Sequence, residues 1–277
     1  MSGTPNHISA SQLRTFARCG ECYRRVYCEN ERRPPGIALL VGSGVHVGAE
    51  RAMKTKAETH ANARAEDVRD MAVAGFDDRM HKEDVLFTKD ERSQGRELVV
   101  GKTRDRVAAM AHYWACVAQP EYQPDAPEDV EHQWSIQLPK TGTVLVGVTD
   151  LIIRGTDQVV DWKTTGGRRI AQREVDTSVA LSAYALAYLR EHGREVNAVK
   201  LDVIQEGKQT KRYMLQSTRN RIDYENLLNR ISTMMAAVRA GNFVPCNPGE
   251  WFCDPKWCGF YENGCRYVNS ERLATGE

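Results

Sequence analysis

The first 120 residues read as a series of helices, elements that bury one face through apolar positions three to four residues apart. Leu13, Phe16 and Ala17 lead towards Tyr23 and Val26, and Pro34-Pro35-Gly36 closes that run. Ser9 and Gln12 have the spacing of a capping box at its start. Residues 45–82 are Ala-rich, charged and free of proline, and predict a helix. A second predicted helix covers 91–118, and the prolines at 120, 124 and 127 mark an exposed connector. The period then shortens to two. Residues 132–138 alternate, Lys140-Thr141-Gly142 turns the chain, and 144–153 is β-branched and apolar. Gly155-Thr156-Asp157 turns it again into Val159–Lys163, which predicts an antiparallel meander. A helix over 176–192, a hairpin around Glu206-Gly207-Lys208 and a helix over 219–240 follow. The order indicates an α/β chain, with a cysteine-, proline- and aromatic-rich segment at 242–269.

Two acids interrupt the apolar strands: Asp150 in Gly147-Val148-Thr149-Asp150 and Asp161 in Val159-Val160-Asp161-Trp162-Lys163. A carboxylate in such a run is costly to bury without a partner. On adjacent antiparallel strands the two can converge and offer hard oxygen ligands of the kind Mg²⁺ or Mn²⁺ takes. Lys163 lies two residues beyond Asp161 and so shares its face. An ammonium there can orient water and stabilise charge developing on phosphorus, which is the chemistry of metal-assisted phosphodiester hydrolysis. The plainer alternative is two strand-end acids and a surface lysine.

These motifs resemble the second and third motifs of the PD-(D/E)xK nuclease superfamily in its RecB-like branch. Gly42-Ser43-Gly44-Val45-His46 is similar to that branch's helical first motif, with Glu50 one turn further on the same face. The resemblance implies a restriction-endonuclease-like core, a mixed sheet flanked by helices. It further implies metal ligation by His46, Asp150 and Asp161, and catalysis by Lys163 with Asp150 and Asp161. A Gln-x-x-x-Tyr motif is expected after the third motif. Tyr184 fits it as a substrate contact, but Ala180 stands where glutamine is expected, with Gln172 and Ser182 as substitutes.

The chain has eight cysteines among 277 residues. Its N-terminal residues lack the apolar segment of a signal peptide and no stretch is long enough to span a membrane, so a cytosolic protein is expected. In a reducing compartment crowded cysteines point to metal rather than disulfides. Cys253, Cys258 and Cys265 form C-x4-C-x6-C, and thiolates at such spacing can wrap zinc or an iron–sulfur cluster. The segment Ser9 to Cys19 resembles the N-terminus of RecB-like nucleases that carry a [4Fe-4S] cluster, among them the AddB type and CRISPR-associated exonucleases. That resemblance implies Cys19, Cys253, Cys258 and Cys265 as cluster ligands stapling the chain ends, with Cys22 and Cys246 as understudies and Cys28 and Cys116 as free thiols. Zinc is the competing occupant.

Net charge is +1, but it sums unlike blocks: +4 over residues 1–60, −5 over 61–130 and +5 over 161–221. Basic surface for a polyanion is therefore compatible with overall neutrality, as are solvated helix faces. Arg18, Arg24 and Arg25 near the first cysteines are candidate phosphate contacts. So are Arg168 and Arg169 after the flexible Gly166-Gly167. The expected organisation is a single nuclease domain over 1–277. Within it lie an N-terminal helix at 8–30, a helical region at 45–120, the core at 130–240 and the cysteine-rich region at 242–269. The expected activity is that of a DNA exonuclease acting on single strands or ends, without a motor, similar to stand-alone enzymes of bacteriophages and CRISPR loci. A catalytically silent nucleic-acid-binding adaptor on the same fold is the rival, supported by Ala180.

Overall fold

The computed structural model describes residues 5–31, 34–254, 257–261 and 264–268. Residues 255–256, 262–263 and 269 of the cysteine-rich region lie outside the described residues. The elements run β1 (His7–Ile8), α1 (Ala10–Arg18), α2 (Gly20–Tyr23), a π-helical turn (Arg24–Cys28), α3 (Ile37–Thr59), α4 (Ala65–Lys82), α5 (Lys89–Gln94) and α6 (Arg96–Val117). They continue as β2 (Val130–Leu138), β3 (Thr143–Ile153), β4 (Gln158–Gly166), α7 (Gln172–Asp176), α8 (Val179–His192), β5 (Ala198–Glu206), β6 (Lys211–Ser217) and α9 (Arg221–Arg239). The chain divides into two compact units. One comprises residues 1–33, 137–146 and 225–277, the other residues 34–136 and 147–224.

The second unit holds strands of the expected meander, together with a crossover to a parallel strand. β3 pairs antiparallel with β4 through Leu151↔Val160, and β2 pairs with β3. After α7 and α8 the chain returns as β5, parallel to β4, with Asp161 opposite Leu201 and Lys163 opposite Val203. β6 then closes an antiparallel hairpin on β5. A parallel neighbour requires a crossover, and the α8 helix supplies it. Val160, Trp162 and Ile204 are buried with residues of α3, α4 and α6 in one core, which includes Leu40, Met53, Phe76 and Trp114. Gly48 permits the close approach of α3 to α4, because a Cβ there would lie 2.8 Å from the Val68 carbonyl oxygen.

Beneath β5 and β6 lies a buried polar knot. Arg212 donates to both carboxylate oxygens of Asp202 at 2.8 and 2.9 Å and to the Val117 carbonyl at 2.8 Å. The Tyr122 hydroxyl donates to Asp202 at 2.7 Å. Every acceptor oxygen of that carboxylate is thereby used, which is the condition for burying it.

The helical expectations hold in type and shift in extent. The helix expected over 45–82 is two helices, because His60 adopts the left-handed conformation (φ 57°) and ends α3. That expected over 91–118 is also two, since Gly95 has φ 90° between α5 and α6. The helix expected to run from Leu13 to Val26 breaks at Cys19, whose backbone is extended (φ −159°). Ser9 accepts from the Gln12 N–H as expected, at 3.3 Å. The Gln12 side-chain oxygen, however, is buried with no hydrogen-bond partner, so the reciprocal half of the box is not made.

In the first unit, β1 pairs parallel with the start of β3 through His7↔Val144. Gly20 donates to the Val244 carbonyl at 2.7 Å and a Cβ at Gly20 would collide with that backbone, so the start of α2 fits only glycine.

Candidate active site and cysteine centre

The acidic residues meet in the second unit. His46 sits on α3, Asp150 on β3, and Asp161 and Lys163 on β4. Asp150 and Asp161 are both buried. The Lys163 ammonium lies 2.7 Å from the Asp161 carboxylate, as two-residue alternation requires. Between them Trp162 packs into the helical core edge-on to Trp114, with centroids 5.3 Å apart. Its backbone N–H donates to Asp150 at 2.7 Å, tying the two strands' acids together. His46 Nδ1 stands 3.7 Å from Asp150 Oδ2.

A fifth residue, not foreseen, joins the cluster. Glu131, at the start of β2, places its carboxylate 4.0 Å from His46 Nδ1. Ligand atoms of His46, Glu131 and Asp150 all lie within 4.8 Å of one another. Asp161 is engaged with Lys163 beside that trio. Glu131 has φ 53°, a conformation that costs a non-glycine residue about 1–3 kcal/mol and is typical of sites that aim a side chain. Its only sequence signal was an acid at the end of a proline-rich acidic connector.

Burial first, then the Asp161 charge, pushes the Asp150 carboxyl up to about 7. Burial pulls His46 down, but the nearby Glu131 carboxylate and the Asp150 charge outweigh it and leave the imidazole raised. Tyr184 on α8 is pushed up by burial and by the charges of Asp161, Asp150 and Glu131, so its hydroxyl keeps its proton beside the acids. One nitrogen and several carboxylate oxygens converging at a common point suit a divalent cation such as Mg²⁺ or Mn²⁺. Because bound metal needs ionised Asp150 and neutral His46, affinity must rise with pH. We expect Mn²⁺ affinity to fall about tenfold from pH 8 to pH 6. Titration calorimetry in two buffers of different ionisation enthalpy would show the released proton, and a pH-independent affinity would contradict the geometry. Without metal the linkage has the opposite sign. A carboxyl raised above its unfolded value of about 3.9 loses its stabilising contribution as pH rises towards 7.

The Gly147 position is explained by Trp134. A Cβ there would overlap the indole, which donates from Nε1 to the Thr149 hydroxyl at 3.0 Å and stands edge-on to Tyr184 at 6.2 Å. Gly147→Ala is expected to cost about 1–3 kcal/mol by displacing Trp134, and to lower activity through Tyr184. Paired urea melts and rate measurements check it.

The other expected contacts have partners of their own. Arg168 pairs with Glu174 at 2.5 Å, and Arg169 lies over the Tyr213 ring at 4.9 Å. Ser182 accepts from Arg219 at 2.8 Å, Gln172 donates to the Gln216 carbonyl at 2.8 Å, and Glu50 pairs with Lys54 at 2.7 Å.

The first unit gathers cysteines from both ends of the chain. Cys19, Cys22 and Cys258 are buried with Phe260, and Cys246, Cys265, Phe252 and Tyr261 pack against them. Cys22 and Cys258 sulfurs are 3.8 Å apart. The Cys19 sulfur accepts backbone N–H groups of Cys22 (3.5 Å) and Cys246 (3.2 Å). The Cys22 thiol bonds to Cys19 and Cys258 and lowers both to about 6, while Cys22 itself is raised. Cys253 lies within electrostatic range of Cys246, Cys258, Cys265 and Cys19, and burial and these neighbours raise it to about 11. A set of soft sulfur donors in an apolar shell fits a thiolate-bound metal. The understudy Cys22 is the most central of them. Cys28 and Cys116 stand apart, partly buried and exposed.

A family model described as the PD-(D/E)XK nuclease superfamily matches residues 7–267. The chain belongs to that superfamily. Its mixed sheet flanked by helices is the restriction-endonuclease-like core. A solved structure from Eubacterium rectale, named as a candidate exonuclease, is similar at 13% identity and TM-score 0.53, over 98% of this chain and 94% of that one. The solved structure of SSO0001 is similar at 13% identity and TM-score 0.41, over 97% and 91%. No curated protein matches the sequence. No helix among the described residues is long and apolar enough to cross a membrane.

Proposed function

We propose that this superfamily member is a cytosolic, divalent-metal-dependent DNA exonuclease acting on single strands or DNA ends. The observation that carries the reading is the convergence of His46, Glu131 and Asp150 beside the Asp161–Lys163 pair. A bound Mg²⁺ or Mn²⁺ would supply Lewis-acid polarisation of the scissile phosphate and an ionised water. His46, Glu131, Asp150 and Asp161 are the residues that would hold it. Lys163, steered by Asp161, faces the water and the charge that develops on phosphorus. Tyr184, kept protonated, donates a hydrogen bond to a phosphate oxygen. The name of the Eubacterium rectale protein supports the exonuclease part of the reading.

The test is digestion of end-labelled single- and double-stranded DNA with Mn²⁺, comparing the wild type with Asp150→Ala. Product that shortens from one end in the wild type alone is expected. Equal digestion by the variant would assign the activity to a contaminant and overturn the reading.

The cysteine centre is read as holding a [4Fe-4S] cluster, drawn from Cys19, Cys22, Cys246, Cys253, Cys258 and Cys265. A zinc occupant is the second reading. The 3.8 Å Cys22–Cys258 separation favours it, since Zn–S bonds of ~2.3 Å place tetrahedral ligands about 3.8 Å apart. Iron and acid-labile sulfide analysis of anaerobically purified protein decides between them.

A further inference from the structure

Among the described residues, three aromatic side chains stand exposed: Trp251, Trp257 and Tyr267, at 63%, 56% and 39%. All three fall in one 17-residue stretch of the first unit. Trp114, Trp134 and Trp162 are buried, so the exposure is not a general property of tryptophan here. The two exposed indoles meet edge to face, with centroids 5.8 Å apart and planes at 83°. Trp251 also meets Phe252 edge to face at 5.9 Å, and both indoles stay more than half exposed. Holding large apolar rings in water is unfavourable and marks surfaces that bind something.

The neighbouring charge is basic. The Arg18 guanidinium lies 5.5 Å from the Trp251 ring centre and 4.4 Å from that of Phe252. Burial, then the like charge of Arg14, lowers the Arg18 pKa. Among the described residues no carboxylate forms an ion pair with Arg14 or Arg18. The other arginines of this region differ: Arg24 pairs with Glu21 at 2.8 Å and Arg25 with Glu31 at 2.7 Å. Of the three arginines near the first cysteines, Arg18 alone forms no ion pair with an acid among the described residues.

We infer that Trp251 and Trp257, with Arg18 beside them, form a stacking platform for the unpaired bases of a single DNA strand. The inference rests on the proposed function and adds a binding surface to it. Bases stack on exposed indoles irrespective of sequence, and a nearby guanidinium neutralises the connecting phosphate. A duplex offers no free base faces, so the platform selects single strands. An apolar protein partner would use the rings without needing the uncompensated arginines.

The test uses the full chain in EDTA, where hydrolysis is stopped, with a fluorescein-labelled oligo(dT). Expected are quenching of tryptophan fluorescence on binding, an affinity about tenfold weaker in Trp251→Ala and in Trp257→Ala, and a comparable loss in the bulk-preserving Trp251→Leu. Arg18→Ala should lower the magnitude of the log–log salt slope by about 0.7. Circular dichroism confirms that each variant is folded. Unchanged oligo(dT) affinity in folded Trp251→Leu and Trp257→Ala, or equal affinity for duplex, overturns the platform and leaves the surface to a protein partner. Mn²⁺-dependent digestion by the wild type is scored separately. If it persists while binding ignores the tryptophans, only the platform fails. If no digestion occurs, it is the proposed function that fails.

Discussion

Lys163→Ala is expected to lower the hydrolysis rate by about 10³-fold while leaving the protein folded. The side chain is 46% exposed, so its removal opens no cavity. What disappears is the cation that Asp161 holds at 2.7 Å on the open side of β4. The Asp161 carboxylate stays in place, so on the proposed reading Mn²⁺ affinity should stay level or increase. That split separates a catalytic lysine from a structural one. Rapid-quench measurement on a labelled oligonucleotide, with metal affinity by calorimetry, gives both values. A variant with normal turnover would remove Lys163 from the mechanism, and one that loses metal binding would make it part of the scaffold.

The largest effect on stability is expected far from the site. Arg212→Ala leaves Asp202, 1% exposed, as a buried charge without its main partner. Loss of one member of such a pair costs about 3–5 kcal/mol, and the Tyr122 hydroxyl alone cannot replace two guanidinium bonds. The melting temperature should fall by roughly 10 °C. The double variant Arg212→Met with Asp202→Leu should recover most of the loss, because removing both charges also removes their desolvation cost. Thermal melts of the three proteins decide it. If the double variant is no better than the single, the knot contributes through shape rather than charge.

The parts of the site legible in sequence were those written in local periodicity. Asp161 and Lys163 share a face because strands alternate, and Asp150 stood out as an acid in an apolar run. Gly147 was legible as a motif, but its reason, the Trp134 indole across the strand pair, is a contact between segments that no local pattern records. Glu131 was illegible for two reasons. It follows an acidic connector that offers several equivalent carboxylates, and its left-handed backbone breaks the alternation that would have placed it. The helices were read at the right places and too long. His60 and Gly95 end them by backbone conformation, and Cys19 does so through a sulfur that caps the following turn. The relative importance of Cys22 depended on sulfur positions contributed from 236 residues away.

That separation bears on how the protein is made. The first unit is discontinuous: its opening residues are synthesised before residue 34, and its cysteines at 246–265 only after all of the second unit. Contacts so distant in sequence form late, since the intervening chain must be ordered before its ends can meet. Until then the Cys19 and Cys22 thiols wait without Cys246 and Cys258, open to oxidation or to capture of whichever metal is abundant. On the proposed reading of a metal at these cysteines, its selection is a question of timing during synthesis as much as of affinity in the finished protein.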